Sequence, residues 1–195
     1  MPNSISSYTL GQSVEVKIKA RRTAFEKILK NEGIKKMDNT NRENMAQRYC
    51  ALIIGIVFAV IGVAGFLPGF VSLAPTGAPV PVDASPNIYA AGFGYLFGLF
   101  PTNLLHNIVH IVVGSMGIVA YTSSGGARFF NRSFAIAYIL IAIMGLLPIA
   151  QTTFGLMPIF GNNVWFNALT AAVAAYFGFV QPTQTMPQMN TPPRY

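Results

Sequence analysis

Four stretches of the chain are apolar and long enough to be read as membrane spans. The clearest covers about residues 46–67, and its centre, Ala51 to Phe66, carries no charge. A span needs about 20 apolar residues, at about 1.5 Å of helical rise each against about 30 Å of hydrocarbon. Pro68 and Gly69 end it. The second is expected over 102–121, opened by Pro101, whose missing N–H suits a first helical turn, and closed by Ser123-Ser124-Gly125-Gly126. The third covers 133–148 and the fourth 164–180. Both are short and borrow flanking residues or sit in a thin bilayer. The expected fold is all-α: a polytopic membrane protein with a four-transmembrane-helix bundle over 45–180 and a short soluble N-terminal arm over 1–44.

The segments between the spans carry their own signals. Pro68, Pro75, Pro79, Pro81 and Pro86, with the single charge Asp83, predict a loop outside the bilayer. Residues 88–100 are apolar, aromatic and Gly-rich, and too short to span. Two readings stand: an interfacial or re-entrant piece with Tyr89, Phe93, Tyr95, Phe97 and Phe100 among the headgroups, or an extension of the second helix kinked at Pro101. In the arm, Val14 to Lys19 alternates apolar and charged residues as a short strand would. Arg21 to Asn31 predicts a basic amphipathic helix stopped by Gly33. Its Arg21, Arg22, Phe25, Lys27, Ile28 and Leu29 form an expected docking face for a partner or an anionic membrane surface. Residues 181–195, with four prolines, are expected to be a disordered tail.

Charge fixes the expected orientation. The chain is 52% hydrophobic and only 10% charged, against roughly 25% charged in soluble domains. Of the 13 Lys and Arg residues, all but Arg128, Arg132 and Arg194 precede Ala51. With four spans, every cation lies in the arm, in the connection between spans two and three, or in the tail, and these share one side. The positive-inside rule then makes both termini cytoplasmic, in a bacterial inner membrane or a thylakoid. No aromatic interleaving or motif in the basic arm points to nucleic acid, so none is expected as a partner. The first 40 residues are polar and basic and do not resemble a secretory signal. A single cysteine, Cys50, allows no intrachain disulfide and is expected to be a small buried residue.

The candidate chemistry lies in the second span, which holds the two histidines of the chain, His106 and His110. At i and i+4 they share a helix face, continued by Asn103 on one side and by the small Gly114 and Gly117 on the other. Small residues let a helix or a flat ligand approach closely. Two imidazoles on one face cannot grip a haem from both sides. H-x-x-x-H supplies two ligands, and no acid lies in any span to complete a catalytic metal site, so no metal is expected. One neutral imidazole suffices as an axial ligand for a magnesium porphyrin, which makes His106 and His110 candidate pigment ligands. The plainer reading is structural: intramembrane His and Asn bridge helices, with Asn103, Asn107, Asn163 and Asn167 as partners. General acid–base catalysis needs a second poised group, and none is visible.

The string Gly98-Leu-Phe-Pro-Thr-Asn-Leu-Leu-His-Asn-Ile-Val-His110, followed by Gly114 and Gly117, resembles the hallmark of an uncharacterised family of small four-span bacterial membrane proteins, a domain of unknown function. The resemblance covers roughly residues 45 to 180. It implies that Pro101, Asn103, His106, Asn107 and His110 form the family motif, and it implies no reaction. The family has members in photosynthetic bacteria, which keeps a chlorophyll-type pigment among the ligands to be weighed. The expectation is a non-enzymatic accessory or assembly subunit among other membrane-protein subunits in a lipid bilayer. A pigment- or cofactor-binding protein is the alternative, and a small transporter or channel the third.

Overall fold

The computed structural model describes residues 4–73 and 89–181. The expected Asp83 loop and the tail beyond Gln181 lie outside the described residues. The elements are α1 (Ser4–Ala64), β1 (Val71–Ser72), β2 (Gly94–Leu96), β3 (Phe100–Thr102), α2 (Leu104–Ala120), α3 (Ser124–Leu146) and α4 (Asn162–Ala175), the last continuing as a π-helical turn, Tyr176–Val180. The chain divides into two compact units, one of residues 1–42 and 184–195 and one of residues 43–183.

Several sequence expectations need correction. The alternating Val14–Lys19 stretch is helix, inside α1, and not a strand. Residues 20–30, which follow it, are rich in Ala, Arg, Lys and Glu, strong helix formers that outweigh a six-residue alternation. Gly33 does not stop the helix, and a Cβ there would meet nothing within 4 Å, so the glycine is merely tolerated. The third helix begins at Ser124, well before residue 133. Ser123 caps it, its hydroxyl accepting from the Gly126 N–H at 3.0 Å. The Ser-Ser-Gly-Gly run that ends α2 therefore also starts α3.

In the 43–183 unit the helices pack around Phe58, which is fully buried. Its ring meets His110 of α2 at 5.0 Å, Phe134 and Tyr138 of α3 at 5.1 Å each, and Phe166 of α4 at 5.5 Å. One side chain of α1 thus touches all three other helices. Along α1, buried Cys50, Ala51, Ile54 and Phe58 mark this inner face at helical spacing. The interface of α1 with α2 is made of small residues. A Cβ on Gly55 would come within 2.6 Å of the Ile118 backbone nitrogen, and one on Gly117 within 2.8 Å of the Ala51 carbonyl. The small stripe below the histidines is therefore occupied by another helix of the same chain. On the other flank, α2 and α3 border an apolar furrow of about 700 Å³.

Residues 94–102 form a hairpin, neither a helix nor an extension of α2. The antiparallel sheet has the order β1-β2-β3, with Ser72 opposite Tyr95 and Tyr95 opposite Pro101. Its turn places Phe97 and Gly98 at φ of 53° and 70°, and Leu99 N–H donates to the Leu96 carbonyl at 3.0 Å. Two successive left-handed residues match the right-handed strand twist. Pro101 thus sits in β3 rather than in a helical first turn, and no kink is present.

Candidate functional site

The sheet delivers the motif to the start of α2. Asn103 follows β3 directly and takes an extended backbone, which turns its side chain back over the new helix. Its Oδ1 accepts from the His106 N–H at 2.9 Å, closing the first turn. Its Nδ2 donates to the Tyr89 carbonyl at 3.2 Å and to the Leu156 carbonyl at 2.8 Å. One fully buried amide ties α2 to the segment before the hairpin and to the loop after α3.

The other amides repeat the device. Asn107 Nδ2 donates to the Gly65 carbonyl just past α1 at 2.8 Å, while its Oδ1 accepts from the Thr102 hydroxyl at 2.6 Å. A Cβ at Gly65 would run into the Asn107 side chain, so glycine is required at that helix end. Asn163, at the start of α4, donates to the Pro101 and Pro158 carbonyls at 2.8 and 3.1 Å. Asn162 reaches the Leu99 carbonyl at 3.1 Å. The buried amides of Asn103, Asn107 and Asn163 satisfy carbonyls that a low-dielectric interior would otherwise leave unpaired, at a cost of about 1–3 kcal/mol each.

The two imidazoles stand apart from this pattern. His106 and His110 are 5% and 6% exposed. Their Nε2 atoms face each other at 3.1 Å, so one ring donates and the other accepts. Neither His106 Nδ1 nor His110 Nδ1 has a hydrogen-bond partner among the described residues. Two small cavities flank the pair. One, of about 60 Å³, lies beneath the sheet and is lined by Phe97, Thr102, Asn163 and Phe166. The other, of about 20 Å³, is lined by Tyr138, Met157, Ile159 and Asn167.

Among the described residues, no group of three or more His, Cys, Asp and Glu side chains gathers to hold a metal ion. Each Nε2 is engaged by the other, and the adjoining cavities are far below the roughly 300–1,000 Å³ of sites for larger ligands. The 700 Å³ furrow between α2 and α3 has no histidine in its lining.

The structure brings Pro101, Asn103, His106, Asn107 and His110 together and points Gly114 and Gly117 at α1. The arm residues Arg21, Arg22, Phe25, Lys27, Ile28 and Leu29 belong to the other unit and are exposed. Arg22 pairs with Glu26 at 3.4 Å. Thr102 lies in the motif without an expected role, and Gly65, Asn162 and Phe58 are not singled out by the sequence pattern. Only Asn162, beside Asn163 at a helix start, carried a visible signal.

The arrangement is that of a predominantly helical protein, its helices joined at one end by a small sheet. Three helical stretches, Lys17–Ala64, Ser124–Leu146 and Asn162–Val180, are long and apolar enough to cross a membrane, and Leu104–Ala120 is a shorter apolar helix. The chain belongs to the family described as a domain of unknown function (DUF4383), whose model matches residues 48–180. No curated protein and no solved structure matches it.

Proposed function

We propose that the protein is a non-enzymatic integral membrane subunit, with four helices crossing the bilayer, that packs within a larger membrane complex. The observation that carries this reading is where the motif spends its polar atoms. Asn103, Asn107 and Asn163 donate to main-chain carbonyls of this chain. They hold the fold together, and among the described residues no acid–base pair lines the 700 Å³ furrow.

The placement of charge supports cytoplasmic termini. Arg48 Nε bonds the Tyr121 carbonyl at 2.6 Å and Arg132 Nε the Gly178 carbonyl at 2.7 Å. Arg48, Arg132 and the ends of α2 and α4 therefore share one end of the bundle, with Arg128 one turn before Arg132. At the sheet end the described connecting residues contain no Lys or Arg. The 17 residues of α2 rise about 25 Å, enough for a thin bilayer when the buried hairpin residues extend the path.

For docking, the arm offers Phe25 and Ile28, 61% and 59% exposed among basic residues. Deleting residues 1–40 and sizing the native complex from detergent-solubilised membranes tests the reading. A smaller complex is expected, and an unchanged size removes the arm's role. A reporter inserted after Asp83 tests orientation, and a cytoplasmic signal there overturns it.

A further inference from the structure

We infer that His106 and His110, with the thioether of Met157, form a site for one soft monovalent cation, copper(I). The amides of the motif are spent on carbonyls, whereas the imidazoles are spent only on each other. Their Nε2 atoms are 3.1 Å apart. With metal–nitrogen bonds of about 2.0 Å, that separation subtends an angle of about 100° at a shared ion. Opening the pair by a few tenths of an ångström gives the bite of a trigonal site. Met157 lines the 20 Å³ cavity against both rings.

Charge and softness choose the ion. The ligand set is neutral, and no Asp or Glu lies in α2, α3 or α4 to balance charge. Born cost grows with the square of the charge, so a divalent ion is about four times as costly as a monovalent one in this setting. Imidazole suits copper, and a thioether selects copper(I) over hard monovalent cations. Binding at both Nε2 atoms requires both rings to carry their proton on Nδ1. The ring that donates in the hydrogen-bonded pair shifts its proton from Nε2 to Nδ1, so no net proton is released and no redox change occurs.

The test uses the full chain in mild detergent, titrated anaerobically with copper(I) against a chromogenic copper(I) chelator. Copper K-edge X-ray absorption is read on the loaded protein. One copper per chain is expected, with two nitrogen scatterers and one sulfur. His110→Ala should weaken binding more than tenfold. Met157→Leu, close in volume and expected to fold, should remove the sulfur signal, while Cys50→Ser should leave it. The inference is overturned if the wild-type protein retains no copper against the chelator. It is equally overturned if sulfur persists in Met157→Leu or disappears in Cys50→Ser. Complex size after arm deletion is read without copper, so the two proposals fail separately.

Discussion

At the sheet-capped end of the 43–183 unit, loop and strand carbonyls are held by neutral amides. At the opposite end, helix-end carbonyls are held by guanidinium groups. Asn103 and Asn107 are almost wholly buried and bond outward from α2 to three other segments. Arg48 and Arg132 are only partly buried, and each also lies over a ring, Tyr121 at 4.8 Å and Phe179 at 5.2 Å. A neutral amide can be buried completely if its hydrogen bonds are made, while a guanidinium keeps part of its surface in water. The sheet end is therefore closed, and the arginine end is an anchor at an interface. Immediately before the two arginines in the chain, Asn131 donates to the Gln47 carbonyl at 3.0 Å, but both side-chain amide atoms of Gln47 lack a partner among the described residues. Both ends keep buried polar atoms without a partner among the described residues, the imidazole Nδ1 atoms near the sheet and the Gln47 amide near the arginines.

The strongest way to break this contrast is Asn103→Ala. It removes the cap of α2 and strands the Tyr89 and Leu156 carbonyls, for an expected loss of about 3–5 kcal/mol. Thermal unfolding in detergent reads it, and a melting temperature within a degree of wild type would dismiss the amide as a keystone. Next is Gly114→Leu, whose Cβ meets the Ala59 backbone. It should cost about 1–3 kcal/mol by overpacking and separate α1 from α2. Thermal unfolding in detergent reads the loss, and an unchanged melting temperature contradicts the close contact. Asn163→Ala should cost about 1–2 kcal/mol, with faster proteolysis of the 147–161 loop as its signature. Arg48→Gln should be mildest, near 1 kcal/mol. If Arg48→Gln destabilises more than Asn103→Ala, the ranking of the two ends is inverted.

The sequence carried some of this and hid the rest for physical reasons. The motif was legible because histidine and asparagine inside an apolar helix are conspicuous, and the structural bridging read from Asn103, Asn107 and Asn163 has counterparts in their hydrogen bonds. The hairpin was not legible. Its strands are three residues long, and its turn uses Phe97 at positive φ where Asn-Gly would have announced it. Asn131 is hidden because the uncharged apolar run of the third span begins only after Arg132, and Ser-Ser-Gly-Gly looks like a stop without looking like a cap. The direction in which Gly114 and Gly117 face depends on α1, some sixty residues earlier, which no local pattern encodes.

Asn103 also sets a clock. Its Leu156 partner lies 53 residues further along the chain. At a synthesis rate of about 5–20 residues per second, that carbonyl emerges roughly 3–10 s after the asparagine itself. During that interval Asn103 can cap the second helix and reach the Tyr89 carbonyl, but its bond to the loop after α3 must wait. The sheet end therefore closes late, after α3 has been made, and the order of synthesis is written into which residue Asn103 must wait for.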